Sequence, residues 1–117
     1  MPKKKVFLMP QTEKILSQMG EQIRLARLRR NIPISVIAER ARVSPGTVAA
    51  VERGSSSVSM GSYAAILHAI GGMEQDLLLI GRDDVLGRTF QDLNLPVRIR
   101  ASKHQSPNQP SKKRNPL

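Results

Sequence analysis

Between Pro33 and Gly54 the chain has room for two helices of about two turns each and a turn of three or four residues. Nothing else fits. Pro33 precedes a segment, roughly Ile34 to Ala41, in which Ile37, Ala38 and Ala41 recur at helical spacing. Ser44 followed by Pro45 then restarts a helix. The hydroxyl caps free amides, and proline at the first helical position gives up no hydrogen bond. That helix runs to Arg53 and stops at Gly54, so the stretch "RVSPGTVAAVERG" holds a turn, a start and a stop within thirteen residues.

The flanks read as more helix. Thr12 caps a first helix through Arg30, with Ile15, Met19, Ile23 and Ala26 on one face, and Asn31 suits the left-handed residue that ends it. After "GSSSVS", Ser59 caps a fourth helix with Met60, Tyr63, Leu67 and Ile70 on a common face, ended by Gly71 and Gly72. "DLLLIG" at 76–81 reads as a short helix or a strand, with helix preferred. Asp83 or Asp84 caps a last helix, "DVLGRTFQDL", despite Gly87. An all-α fold follows. Two Phe, one Tyr and no Trp leave Ile, Leu, Val, Met and Ala to build the core, and 117 residues suffice for one small domain.

The ends differ from the middle. Residues 1–10 form a basic leader, expected to be flexible, whose apolar run Val6 to Met9 is too short for a signal peptide or a membrane span. From Asn94 the chain turns rich in Pro, Ser, Asn, Gln and Lys, and 101–117 are expected to be a disordered basic tail. With no cysteine, the chain has no disulfide or thiolate chemistry and suits a reducing cytoplasm. Net charge is +10, with Lys3 to Lys5 contributing three positive charges and the stretch from Arg98 contributing six without an acid. Lys14 to Arg53 holds eight bases and three acids, whereas Glu74 to Asp92 holds two bases and five acids. One half suits a polyanion and the other a different partner.

Two short helices across a tight turn, followed by further helices, is the arrangement of a helix-turn-helix domain. Over residues 18–72 the chain resembles the Cro/cI-type repressors, the XRE family. The resemblance lies in Ile23 with Arg27, "IAERARVS", Thr47-Val48, "ERG" at 52–54 and "SMGSYAAILHAIG". It implies a five- to six-helix, lambda-repressor-like domain at 11–72 with a C-terminal extension at 73–100. Beyond it, "LLLIGRDDVLGRTFQDLNLPVRIR" resembles the extension of HipB-like antitoxins, regulators encoded beside HipA-type Ser/Thr kinase toxins. These resemblances imply double-stranded DNA with an inverted-repeat operator, a homodimer, and a HipA-like kinase as partners. They place the chain in the cytoplasm, at the nucleoid.

Site residues follow from the same resemblance. Arg27 and Glu52 fall where similar repressors hold a buried ion pair tying helix one to helix three. Ser44, Pro45, Gly46 and Ala50 fall on DNA-facing positions, with Thr47 near backbone or base edges and Val48 and Val51 inward. Ala49 adds a methyl contact, Arg42 and Arg53 anchor phosphates, and Ser55 and Ser56 follow on the loop. Leu77, Leu79, Leu86, Phe90 and Leu93 are the expected dimer or partner surface. The chain departs from the family's better readers. Bidentate base contacts need Gln, Asn, Arg or Lys, and nothing from Pro45 to Ala50 supplies one. Pro33 and Ile34 also stand where a capping Ser/Thr and a phosphate-binding Gln are usual.

Other chemistry is sparse. His68 and His104 have no companion at metal-ligand spacing, and Asp83, Asp84 and Asp92 have no nucleophile or base beside them. No cofactor, metal or catalytic residue is expected, and the chain is not expected to be an enzyme. The expected function is a sequence-specific DNA-binding repressor serving as the antitoxin of a HipA-like kinase. The alternatives are a stand-alone phage-type or restriction-modification regulator, a protein-bridging module, or an RNA binder.

Overall fold

In the computed structural model, residues 6–102 are described, with side chains through residue 94. They form six helices and no strand: α1 (Pro10–Arg29), α2 (Ile34–Ala41), α3 (Pro45–Glu52), α4 (Met60–Gly71), a 3-10 helix (Met73–Leu79) and α5 (Val85–Ser102). The chain divides at Ile80 into two units, the second beginning at Gly81. Among the described residues no helix is long and apolar enough to cross a membrane.

In the first unit α2 packs on α3 and α4, α1 packs on α3 and α4, and the 3-10 helix covers α4. The core joins Ile23 and Ala26, Ile37 and Ala38, Val48 and Val51, and Tyr63, Ile66, Leu67, Ala69 and Ile70. Ile37, Ile66, Val48 and Val51 lose essentially all exposure. Burial of such side chains contributes roughly 1.5–3 kcal/mol each.

Helix ends follow local chemistry. Ser44 Oγ accepts the Thr47 amide at 3.0 Å and Ser59 Oγ accepts that of Ser62 at 3.1 Å. Asn31 (φ 54°) and Gly72 (φ 78°) take left-handed conformations at the ends of α1 and α4. Arg42 also does so, at φ 59°, and the Val43 amide closes α2 onto the Ala38 carbonyl. Met73 and Leu77 of the 3-10 helix pack against the core, and His68 Nδ1 meets Glu74 Oε2 at 2.8 Å. The Glu74 carboxyl is held below the ordinary glutamate range, first by its own backbone amide and then by His68. In the second unit Asp84 caps α5, its Oδ1 accepting the Gly87 amide at 3.0 Å.

Four expectations need correction. Helix α1 starts at Pro10, not after Thr12, because proline preset to helical φ takes the first position and the Met9 carbonyl accepts the Glu13 amide at 3.0 Å. Its inner face is set by Gly20, so Leu16 is half-buried while Ile15 is 62% exposed. Met60 likewise stands exposed at the start of α4, where Ile66 and Ala69 join the buried set. Finally, α5 runs past Asn94 to Ser102, although Pro96 offers no amide to the Asp92 carbonyl. The tail from residue 103 lies outside the described residues, as does Met1 to Lys5.

Candidate nucleic-acid interface

Helix α3 presents two unlike rows. Its inner row, Val48 and Val51, is fully buried, while Ser44, Pro45 and Gly46 are exposed and Thr47, Ala49 and Ala50 half-buried. What fixes α3 in this rotation is a charged lock at its far end. Arg27 on α1 donates from Nε to Glu52 Oε2 at 2.6 Å and from Nη2 to Glu52 Oε1 at 3.1 Å. Its Nη1 donates to the Ile32 carbonyl at 2.9 Å. Both side chains are buried, and the fork geometry matches guanidinium to carboxylate. Hydrogen bonding to Glu52 raises the Arg27 pKa above its ordinary value, against the opposing effect of burial.

The exposed row borders a groove of about 350 Å³. Ser44, Gly46, Thr47 and Ala50 line it from α3, and Ser57, Val58 and Ser62 line it from the loop and the start of α4. The last three escape a reading of the sequence, although the Ser59 cap with a serine three residues on marks that helix start. Ser44 and Thr47 hydroxyls sit 2.9 Å apart, so one of the two hydroxyl hydrogens is spent within the pair and one remains for an outside acceptor. Ser55 Oγ lies 2.8 Å from Ser57 Oγ and accepts the Ser57 amide at 3.2 Å, while Ser56 Oγ donates to the Val6 carbonyl at 3.3 Å. The hydroxyls of Ser55 and Ser56 are thus engaged within the chain. Arg53 lines a second groove of about 450 Å³ with Leu8, Glu13 and Ser17, and Arg42 stands exposed at the turn between α2 and α3. Helix α2 begins at Pro33 without a side-chain cap.

A family model described as a helix-turn-helix domain matches residues 18–79, more than half of the chain. The chain belongs to the helix-turn-helix domain family. Among solved structures, this helix-turn-helix protein is similar to the clp gene regulator ClgR from Corynebacterium glutamicum, at 26% identity over 75% of this chain and 94% of that one, with a TM-score of 0.48. No curated protein matches it. In helix-turn-helix terms α2 and α3 are the paired helices and α3 the second of them.

The remaining candidate residues lie elsewhere. Leu77 is half-buried against the core, and Leu79 is 54% exposed in the same unit. In the second unit Leu86, Phe90 and Leu93 follow at i, i+4 and i+7 along α5, and all three are exposed. Among the described residues no three His, Cys, Asp or Glu side chains gather to hold a metal ion.

Proposed function

We propose that this helix-turn-helix protein is a transcriptional repressor that binds an inverted-repeat operator as a homodimer, with α3 in the major groove. The supporting observation is the division of α3 into a wholly buried row and a bare row of small residues, flanked by the exposed Arg42 and Arg53. Small side chains let a helix backbone approach the bases closely. Pro45, Ala49 and Ala50 offer apolar contact to thymine methyls, and the Ser44–Thr47 pair offers single hydrogen bonds. The guanidinium groups supply phosphate contacts that hold register without reading sequence.

Weak readout per base follows, and a binding scan over all single-base operator variants tests it. Each change is expected to cost about 1 kcal/mol or less, with the largest losses at thymines and a matching loss when uracil replaces thymine. Half-site centres are expected about one helical turn, or a small multiple, apart. Ala50→Gln should shift the preferred sequence by adding an adenine reader, while Arg53→Ala should weaken all sequences alike. Losses of several kcal/mol at guanines, or indifference to thymine methyls, would place base reading outside α3. Equal retention of RNA and duplex DNA would favour the RNA-binding alternative.

Within the same reading, the partner is a HipA-like Ser/Thr kinase, and the protein is its antitoxin. The resemblance of "LLLIGRDDVLGRTFQDLNLPVRIR" to HipB-like extensions supports this, together with the acid surplus from Glu74 to Asp92 and the exposed Leu79, Leu86, Phe90 and Leu93. An apolar row within a polar rim suits the dimer or the kinase surface. Phe90→Ala is expected to weaken assembly, measured by sedimentation and kinase co-purification, without lowering the melting temperature of the first unit. Unchanged assembly would remove α5 from the interface, and a neighbouring reading frame unlike a kinase would favour a solitary regulator.

A further inference from the structure

We infer that a groove between α1, α4 and the 3-10 helix binds a medium-chain carboxylate, which competes with DNA for Arg53. Its effect on DNA rests on the repressor reading proposed above, whereas the site itself does not. The groove has a volume of about 340 Å³ and is walled by Leu16 and Met19 of α1, Met60 and Leu67 of α4, and Leu77 with Ile80 at the end of the 3-10 helix. That volume falls within the range of roughly 300–1,000 Å³ found for small-molecule pockets, which are mostly apolar with a few placed polar groups. Here the polar groups gather in one place. The Tyr63 hydroxyl donates to the Ser55 carbonyl at 2.7 Å, and Ser56 follows directly. The occupant that suits such a lining is apolar over most of its length and polar at one end.

The polar end sets the charge of that occupant. Leu8, Ser55 and Ser56 line this groove and also the adjoining one of about 450 Å³, which holds Arg53. Arg53 is exposed, and among the described residues no salt bridge joins it to a carboxylate, although Glu13 lines the same groove. A guanidinium fork receives a planar carboxylate through two parallel hydrogen bonds, and the exposed Ser17 hydroxyl stands in the same groove. An acyl chain in the apolar groove therefore ends, at the shared residues, next to a cation. The same guanidinium is the proposed phosphate anchor of the loop after α3. It cannot serve a carboxylate and a phosphate together, so occupancy removes one phosphate contact per protomer. The coupling is reciprocal: DNA weakens the carboxylate by the factor by which the carboxylate weakens DNA.

Calorimetric titration of the full chain with octanoate, decanoate and dodecanoate, each below the concentration at which it forms micelles, tests the site. Every added methylene is expected to tighten binding about fourfold until the groove is filled. Decanoate should bind several-fold more tightly than 1-decanol, and Arg53→Gln should erase that difference. Met60→Glu, at a wall position 64% exposed, should weaken every chain length without lowering the melting temperature. On operator DNA, saturating decanoate should raise the Kd and lower the slope of log affinity against log salt by about 0.9 per protomer, the share of one phosphate. Equal binding at all chain lengths, or binding indifferent to Met60→Glu, would overturn the site. If no carboxylate binds while Leu16→Arg dissociates a dimer seen by sedimentation, the groove belongs to a second copy and the site falls. Chain-length steps in a protein that retains no duplex would uphold the site and defeat the repressor reading. Operator binding unchanged by a bound carboxylate would overturn the competition at Arg53.

Discussion

Replacing Arg27 by alanine is expected to destabilise the first unit by about 3 kcal/mol, the scale on which removing one partner of a buried ion pair strands the other. Three acceptors lose their donors at once: both Glu52 carboxylate oxygens and the Ile32 carbonyl. For a domain of this size that corresponds to a fall in melting temperature of roughly 12–24 °C. The pair is defined by its coupling, so a double variant separates it from simple loss of packing. Arg27→Met with Glu52→Leu should recover most of the lost stability, because apolar side chains of similar volume commonly replace such pairs at little cost. Operator affinity should not recover in step, since the rotation of α3 is no longer locked to α1. A melting temperature indifferent to Arg27→Ala would show that Glu52 finds solvent or another donor.

Gly20→Ala is expected to cost about as much, near the upper end of the 1–3 kcal/mol typical of overpacking. A Cβ at Gly20 would stand 2.5 Å from the Gly54 amide nitrogen and 2.7 Å from the carbonyl oxygens of Val51 and Glu52. All three are backbone atoms, with no side chain able to swing away. Gly54 faces the reciprocal constraint: its left-handed φ of 73° and the adjacent Leu16 carbonyl leave no space for a side chain. Gly61→Ala serves as the control. Its nearest neighbour is Ser59 Oγ at 3.9 Å, so there the helix preference for alanine should add roughly 0.5–1 kcal/mol. Chemical denaturation of the two variants side by side checks both signs. Equal effects would mean that α1 shifts to accommodate the methyl group.

Gly20 also marks the limit of what could be read from the sequence. Helix punctuation was legible because it is local: a serine hydroxyl reaches the amide three residues on, and left-handed residues close the turn they follow, as at Ser44, Ser59, Asn31 and Gly72. The inward row of α3, Val48 and Val51, was legible through the resemblance to Cro/cI-type repressors, and both are fully buried. Gly20 was not, because its role depends on a segment more than thirty residues away and it contributes no side chain to the apolar periodicity. Without it the stripe of α1 rotates onto Ile15. The hydroxyls of Ser55 and Ser56 look free in the sequence because nothing local to them reveals that Ser57 and the Val6 carbonyl take them up. The choice between helix and strand at 76–80 turns on packing of Met73 and Leu77 against α4, which a run of leucines does not encode.

Tyr63 is the only tyrosine, and there is no tryptophan. Its ring is buried in the core while its hydroxyl donates to the Ser55 carbonyl at 2.7 Å. The near-ultraviolet spectrum of the unmodified protein therefore comes almost entirely from one ring, tied to the loop between α3 and α4. Fluorescence or second-derivative absorbance reads the environment of that loop with no label and no competing chromophore. Burial pushes the phenol pKa up, so ionisation is resisted in the fold. Stability from this group is intact below the unfolded phenol's pKa, about 10, and declines as the pH rises through the folded value. The tyrosinate band at alkaline pH thus records the release of this one ring from the core.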